Sequence, residues 1–264
     1  MKDLIVSHLP ASYPWQGNLY YFPIVDSTNT RAKEMAAAGA PHGTVLIANS
    51  QTGGRGRMGR SFHSPAGCGI YMSMLLRPKC PAKDLMHLTC AVAVAAADGI
   101  QAATGLRPGI KWTNDLVCGQ KKLGGILTEL SLDGNGNVDY AVIGIGINCN
   151  QSAEDFPEDI RKIATSLTLC TGKTIDRASV IAHILEALQK MSENLQDSAA
   201  TIIRYRADCI TIGQEISLVR GDEIRHGKAL NVDEAGALVV EFPDGQIQAV
   251  QSGEVSVRGM YGYV

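Results

Sequence analysis

The chain has 264 residues, 45% hydrophobic and 19% charged, with a formal net charge of -2 at pH 7. This composition is typical of one large globular domain plus a small one, with enough apolar residues to bury a core. The near-neutral charge excludes the overall electrostatic footprint of a polyanion-binding protein, so any basic site must be local.

Cysteine content and apolar runs bear on the compartment. The seven cysteines are odd in number and include no C-x-x-C pair, which argues against a disulfide framework and a zinc knuckle. We expect reduced, buried thiols. The N-terminal segment carries Asp3 early and has no sustained apolar run, and no stretch of about 18 apolar residues follows. The expected location is therefore the cytoplasm, without a membrane span.

The first predicted helix follows a short N-terminal lead. Ser27 or Thr28 can cap it, and Gly39 ends it, because a residue without a Cβ suits the left-handed conformation found at helix ends.

A strand, a loop and a second strand come next. The strands are predicted at residues 45–50 and 69–76, and residues 53–69 between them are too rich in Gly, Arg and Pro for either element. Apolar residues then recur every three or four positions from Pro81 to Thr104, which predicts an amphipathic helix closed by Gly105.

The central part of the chain predicts an antiparallel meander. Its strands are expected at IKWTNDLV, LGGILTEL and YAVIGIGIN, which are residues 110–117, 123–130 and 140–148. Glycine-rich turns at 118–120 and 133–136 separate them.

Two further helices and a change of pattern complete the chain. Residues 176–196 have helical periodicity, and a second short helix is expected to reach Ala207. Beyond it, short alternating segments around a polar stretch at 226–228 and a turn at 243–245 predict a small β-barrel.

The order of these elements predicts an α+β fold. Residues 1–209 are expected to form a mixed, mainly antiparallel sheet flanked by helices, and residues 210–264 a small C-terminal β-barrel. No internal repeat is visible in the sequence.

The strongest chemical signal is GGRGRMGR at residues 53–60, here called the Gly-Arg loop. Its glycines permit close approach of a ligand, and its three arginines offer permanently charged donors to phosphate or carboxylate oxygens. A solvated basic turn explains these residues alone equally well. A dinucleotide-binding turn is disfavoured because no helix opens after the loop and no acid follows about 20 positions later. A kinase loop is disfavoured because H-R-D and D-F-G are absent.

An ordered set of motifs resembles the biotin–protein ligase family. The set is Asp26-Ser27-Thr28-Asn29, the Gly-Arg loop with the strand after it, KWTNDL at 111–116 with KKLGGIL at 121–127, VIGIGIN at 142–148 and SGEVSVR at 252–258. The catalytic match spans about residues 20 to 150. The resemblance implies a class II synthetase-like sheet with an SH3-like C-terminal barrel.

The resemblance also implies the reaction. An enzyme of this family uses ATP and Mg²⁺ to form biotinyl-5′-AMP and transfers biotin to a lysine of a biotin carboxyl carrier domain. A homodimer is a further possibility within the family, and no DNA or membrane partner is expected. The sequence has no G-x-S-x-G elbow and no obvious Cys/His pairing, which agrees with a reaction without a covalent enzyme intermediate.

Site residues carry over from the resemblance position by position. It assigns biotin binding to Ser27, Thr28, Asn29, Gln51, Gly54, Arg55, Arg57, Lys122, Gly125 and Gly144. It assigns ATP and adenylate binding to Arg57, Arg60, Phe62, Asn114, Lys122, Ile147, Asn148 and Arg258. The implied catalytic residues are Lys122, Arg57 and Asp115, with Asp115 also placing Mg²⁺, and Phe156 is a candidate for stacking on the adenine.

Several of these residues have simpler explanations. Ser27 and Thr28 can act as helix caps, which is compatible with ligand binding. Lys122 can be a surface lysine, Asn114-Asp115 a turn and Asn148 a strand end, and Arg258 an exposed edge charge. The family usually has Pro where this chain has Thr113.

Two rival functions remain open. A lipoate–protein ligase shares the chemistry, but the intact Gly-Arg loop favours biotin. Some family members are also transcriptional repressors with an N-terminal winged helix. Only about twenty residues precede the catalytic match, too few for a helix-turn-helix domain, so operator binding is not expected.

Overall fold

The computed structural model describes residues 1–252 and 256–258. Its helices in this part of the chain are α1 (Lys2–His8), α2 (Thr28–Ala37), α3 (Leu88–Thr104), α4 (Glu158–Arg161), α5 (Leu167–Thr171), α6 (Arg177–Glu193) and α7 (Ser198–Asp208). Helix α2 ends as predicted, with Gly39 at φ 88° directly after the C-cap residue.

The strands form two sheets. They are β1 (Leu19–Phe22), β2 (Thr44–Ala48), β3 (Gly69–Leu76), β4 (Gly109–Lys111), β5 (Asp115–Cys118), β6 (Lys121–Leu132), β7 (Val138–Asn148), β8 (Glu215–Arg220), β9 (Glu223–Val232), β10 (Leu238–Glu241), β11 (Ile247–Val250) and β12 (Ser256–Arg258). The first sheet has the order β1-β2-β3-β7-β6-β5-β4, and the second has the order β11-β10-β9-β8-β12.

The first sheet is mixed because β1 pairs with β2 in parallel, while its other strand pairs are antiparallel. The second sheet is antiparallel throughout. These pairings confirm the predicted α+β fold, in which a mainly antiparallel sheet is followed by a small all-β unit.

Strand β7 shows how the sequence divides the two faces of the first sheet. Successive side chains of a strand point to opposite faces, so the isoleucines of VIGIGIN enter the core shared with α3 and α6. Val142 lies on the other face, in the cluster that includes α2. Gly144 and Gly146 share that second face and add no side chains to it, so groups from other elements can lie on it around a cavity.

One helical segment, Ala82–Thr104, is long and apolar enough to cross a membrane, but 72% of that apolar window is buried inside the protein. Its packing is close: a Cβ on Gly99 of α3 would stand 2.5 Å from the Cα of Ile184 in α6. The apolar composition of α3 is therefore that of a core helix and is no sign of a membrane protein.

One local prediction was wrong, and two segments form elements that the sequence did not predict. The N-terminal lead contains α1 and β1, whose stability comes from packing on α6 and pairing with β2. Residues 110–117 are not one strand but the hairpin β4–β5, which turns at residues 112–114. The polar stretch 226–228 lies inside β9, because an antiparallel sheet with one face in solvent can carry polar residues along its strands.

The second sheet lies beside the β4–β5 turn. The backbone N–H of Ile210 donates to Ile110 O at 2.9 Å, and that of Trp112 donates to Thr211 Oγ1 at 2.9 Å. The indole N–H of Trp112 donates to Gly236 O at 3.0 Å. The C-terminal unit thus holds the turn that carries Asn114 and leads into Asp115, the first residue of β5. The Trp112–Thr113 peptide bond in this turn is cis.

Candidate active site

A cavity of about 270 Å³ opens on the α2 face of the first sheet. It brings together fourteen residues of the sequence-predicted site: Ser27, Thr28, Asn29, Gln51, Arg55, Arg57, Arg60, Phe62, Asn114, Asp115, Lys122, Gly125, Gly144 and Asn148.

Other predicted residues do not line this cavity. Gly54 is enclosed, since a Cβ there would stand 2.4 Å from Phe62 O. Ile147 is buried in the main core, and Phe156 is 2% exposed and away from the cavity. The side chain of Arg258 lies outside the described residues. The stacking role suggested for Phe156 therefore has no geometric support.

The structure adds lining residues that the sequence did not reveal. They are Gly56, Met58, Ser61, His63, Met72, Lys111, Trp112, Ile126, Leu127, Ile145, Gly146, Ile160, Ile163, Ala164 and Val257. Lys111 and Trp112 stand in the KWTNDL motif, which is a signal that could have found them. The segment 160–164 lies far along the chain and carries no motif, so only the fold brings it to the cavity.

Glycines form the floor of the cavity. Strand register places Asp115 beside Gly125 and Gly125 beside Gly146, so the two glycines share a face with the Asp115 carboxylate. A Cβ on Gly146 would stand 2.7 Å from the ring of Phe62. The missing side chains allow other groups to lie directly on the sheet backbone.

One wall of the cavity is a continuous polar chain. Ser73 Oγ is fully buried and lies 2.6 Å from Asn29 Oδ1 and 2.7 Å from Thr28 Oγ1. The Thr28 hydroxyl lies 3.2 Å from Gln51 Oε1, and Gln51 Nε2 donates to Ser64 Oγ at 3.0 Å. These groups hold one another in fixed orientations, as a binding site with a few polar contacts requires.

Ser27 is the N-cap residue of α2 by backbone conformation, yet its side chain makes no capping hydrogen bond. Gln51 supplies the side-chain hydrogen bond at the start of α2 instead, because its Oε1 accepts from the backbone N–H of Thr28 at 2.9 Å. Ser27 therefore caps α2 by position, as predicted, but not through its side chain. Its buried hydroxyl instead lines the cavity.

The opposite part of the cavity is cationic. Lys122 Nζ donates to Asp115 Oδ1 at 2.6 Å, and both side chains are partly buried. The backbone of Lys122 is also fixed, since its N–H donates to Ile163 O at 2.7 Å and its carbonyl accepts from Thr165 N at 2.8 Å. Lys122 is therefore held in place and is not a freely solvated surface lysine.

Arg57 connects the Gly-Arg loop to both sheets. Its Nη1 donates to Asn114 Oδ1 at 2.9 Å, and its Nη2 donates to Ser252 O of the C-terminal unit. Asn114 is fixed in turn because its Nδ2 donates to Ile126 O at 2.9 Å. Burial lowers the pKa of Arg57, an effect that Asp115 opposes and Arg60 reinforces. A guanidinium starts far above neutrality and stays charged.

Asn148 ends β7 at the side of the cavity near segment 160–164. Its Nδ2 donates to Thr165 O at 3.0 Å, and Gln151 Nε2 lies 3.5 Å from its Oδ1. The residue thus joins β7 to the chain that follows α4, in addition to ending a strand.

The described residues contain no group of three or more His, Cys, Asp or Glu side chains that could hold a metal ion. Asp115 is the carboxylate that lines the cavity. One carboxylate fits Mg²⁺ that arrives with substrate phosphates, because this ion keeps several waters and needs few protein ligands.

The arrangement suits a small ligand with a polar head, an apolar body and an anionic end. The polar chain supplies directed donors and acceptors, Met72, Leu127 and Ile145 supply apolar contacts, and the Lys122 and arginine side chains supply positive charge. Positive charge on the Gly-Arg loop beside a fixed lysine is also suited to bringing two anions together.

Sequence comparisons identify both parts of the chain. Residues 21–148 match the Biotin/lipoate A/B protein ligase family, and residues 211–258 match the Biotin protein ligase C terminal domain. The second sheet falls within the second match, and the cavity-lining residues fall within the two matches except for Ile160, Ile163 and Ala164, which lie between them.

Individual relatives agree with the family match. The Bifunctional ligase/repressor BirA of Bacillus spizizenii is 40% identical over 242 residues, which are 91% of this chain and 74% of the relative. The Biotin--[acetyl-CoA-carboxylase] ligase of Paracoccus denitrificans is 30% identical over 239 residues, 89% of this chain and 98% of the relative.

A solved structure agrees as well. The biotin protein ligase from Aquifex aeolicus in complex with biotin and ATP superposes with a TM-score of 0.78 at 32% identity, covering 91% of this chain and 98% of that one.

Proposed function

We propose a division of the cavity between biotin and ATP. The premise is that this chain belongs to the biotin/lipoate A/B protein ligase family and is an ATP-dependent biotin–protein ligase. One observation carries the proposal. The same cavity contains the chain of polar side chains beside the glycine floor and, at its other end, the cluster of Lys122, Asp115 and Arg57.

Biotin occupies the end of the cavity at α2. Its ureido ring needs directed donors and acceptors, which the Ser27 hydroxyl, Thr28 and Gln51 supply. Its apolar thiophane ring and valeryl chain lie along the glycine floor toward Gly125, while Gly144 makes room for the Asn29 amide at the edge of the biotin site. The carboxylate at the end of the chain then points toward the cationic cluster.

ATP occupies the cationic end. Arg57, Arg60 and Lys122 bind its phosphates, and Asn114 supports Arg57 through their hydrogen bond. The adenine lies between Asn148 and the apolar segment 160–164, which lines the same cavity. Asp115 is the residue that would hold Mg²⁺, which adds positive charge at the phosphates when bound.

In the first step the biotin carboxylate oxygen attacks the α-phosphorus of ATP. A new bond forms between that oxygen and phosphorus, the bond to the bridging oxygen breaks, and pyrophosphate leaves. Two anions must meet, so the work of Lys122 and Arg57 is alignment and charge neutralisation. In the second step a lysine amine of the acceptor attacks the acyl carbon of biotinyl-5′-AMP, which releases AMP and leaves an amide.

The acceptor is a biotin carboxyl carrier domain, in agreement with the carboxylase named for the Paracoccus relative. The proposal further places the enzyme in the cytoplasm and divides it into a catalytic domain, residues 1–209, and a C-terminal domain, residues 210–264. It includes a homodimer, which light scattering with and without biotin tests. It does not include DNA binding or repression, and a gel-shift experiment that shows sequence-specific DNA binding would contradict this part of the proposal.

Adenylation and transfer are tested separately. Biotin with MgATP should release pyrophosphate and leave an adenylate on the enzyme, and addition of a carrier domain should give a mass increase equal to one biotin minus water. Competition with lipoate in the first assay distinguishes the two acids. Preferential adenylation of lipoate, or no pyrophosphate with either acid, would contradict the proposal.

A further inference from the structure

Glu129 is a charged side chain directly behind the cavity wall, and neither the motifs nor the mechanism above gives it a task. It lies on β6 on the same face as Leu127, which lines the cavity, and opposite Val142 of β7. Its side chain is only 24% exposed. A carboxylate near a site for two anions disfavours their binding unless cations neutralise it, so its partners are informative.

The Glu129 carboxylate joins three parts of the fold. Its Oε2 accepts from Asn29 Nδ2 at 2.9 Å, and its Oε1 accepts from Lys33 Nζ at 2.8 Å. Asn29 and Lys33 are four residues apart on α2 and so share a helix face. Arg55 Nη1 of the Gly-Arg loop lies 3.8 Å from the same Oε1.

These contacts fix the amide of Asn29. Its second Nδ2 hydrogen goes to Leu127 O at 3.3 Å, and its Oδ1 accepts from Ser73 Oγ at 2.6 Å. With both hydrogens used, the amide has one orientation. Without Glu129 the amide nitrogen would keep only its longer hydrogen bond, to Leu127 O at 3.3 Å, so the amide would be held less firmly in this orientation.

The contact with Arg55 is of a different kind. At 3.8 Å, and with an arginine side chain that is 49% exposed, it is a loose ion pair. It nevertheless attaches the start of the Gly-Arg loop to the sheet, at a point separate from the Arg57 contacts.

We propose that Glu129 is a positioning residue for the ligase reaction, which orients Asn29 at the biotin end of the cavity and tethers the Gly-Arg loop through Arg55. The inference rests on the proposed function and deepens it. One carboxylate performs two separable tasks: biotin affinity depends on its contact with Asn29, and retention of the adenylate depends on its contact with Arg55.

Three variants separate these tasks. Glu129→Gln keeps an oxygen that can accept from Asn29 but loses the charge that faces Arg55, so biotinyl-5′-AMP should dissociate about fivefold faster, with a KM for biotin within twofold of wild type. Glu129→Ala loses both contacts and should also raise that KM about tenfold. Arg55→Ala combined with Glu129→Gln should release the adenylate no faster than Arg55→Ala alone, because the tether acts through Arg55.

Glu34→Gln is the matched control, since it makes the same change at an exposed carboxylate of α2 and should alter neither quantity. Thermal unfolding without ligands shows whether each variant folds. The inference is overturned if Glu129→Gln and Glu129→Ala both retain the adenylate and bind biotin like wild type, or if the double variant shows the product of the two single effects. A wild-type protein that makes no adenylate would instead overturn the proposed function, and this inference with it.

Discussion

Gly144 lies directly against the side-chain amide of Asn29, so closely that a Cβ at position 144 would stand 2.1 Å from Asn29 Oδ1. Gly144 therefore contributes to the binding site because it has no side chain. The amide occupies the volume that any other residue would fill, and Ser73 and Glu129 hold it there.

Gly144→Ala tests this contact. The methyl group must displace the Asn29 amide from the polar chain, and we expect the affinity for biotin to fall about tenfold or more. Calorimetric titration of biotin measures the change. Gly134→Ala is the matched control, because a Cβ there meets nothing within 4 Å. Equal biotin affinity of the two variants would show that Asn29 is not needed in its present place.

Lys122→Ala tests the cationic cluster. Removing the ammonium leaves Asp115 without its 2.6 Å partner and takes a positive charge from the site where two anions meet. We expect adenylate formation to slow by about 100-fold or more, measured as pyrophosphate release in a single turnover. Lys121→Ala changes the exposed neighbouring lysine and should have no effect. Normal adenylation by the Lys122 variant would remove this residue from the mechanism.

Arg57→Lys tests the connection between the Gly-Arg loop and the C-terminal unit. A lysine keeps the charge but cannot donate to Asn114 and Ser252 at once in the planar geometry of a guanidinium. The KM for ATP should rise about tenfold in steady-state assays, while the KM for biotin changes less. Arg31→Lys makes the same substitution on the exposed face of α2 and should leave both constants unchanged. A similar rise with Arg31→Lys would mean that the effect is not specific to the loop.

The ionisation of Glu129 should contribute to stability in a defined pH range. Burial disfavours its charged form, but hydrogen bonds from Lys33 and Asn29 and the charge of Arg55 outweigh this and lower the pKa below the ordinary 4.5. A carboxyl whose pKa is lower in the folded protein stabilises the fold above the unfolded value and loses this contribution as the pH falls through the native value.

The difference in unfolding free energy between wild type and Glu129→Gln should therefore be constant between about pH 5 and pH 6 and shrink below about pH 4.5. Urea titrations across this range measure it. A difference that grows toward acid pH would contradict the direction of the pKa change.

The seven cysteines should be poorly reactive in the native protein. All are free thiols, and four are buried. Burial raises the pKa of Cys149 to about 12, and burial together with the neighbouring Cys170 raises that of Cys118 to about 12. The reactive thiolate is then scarce at neutral pH. Iodoacetamide at pH 7.5 should label the native protein slowly and the urea-unfolded protein fully, as mass spectrometry would show. Rapid labelling of native Cys118 would contradict this.

The sequence by itself determined the elements with strong periodicity. The isoleucines of VIGIGIN bury one face of β7 because side chains alternate along a strand, and the same alternation leaves Gly144 and Gly146 on the face of the cavity. Gly39 ends α2 as its lack of a Cβ predicts. The ordered motifs also indicated that the Gly-Arg loop, Lys122 and Asp115 would lie at one site.

Tertiary structure decided the features that depend on distant partners. β1 becomes a strand only beside β2, and the polar residues 226–228 become part of β9 only within its sheet. The side-chain hydrogen bond at the N-terminus of α2 comes from Gln51 and not from Ser27, and Gln51 is 23 residues from Thr28 along the chain. Local patterns record the burial and turn preferences of neighbouring residues. They do not indicate contacts between side chains that are distant in the sequence, such as those of Glu129 with Asn29 and Arg55.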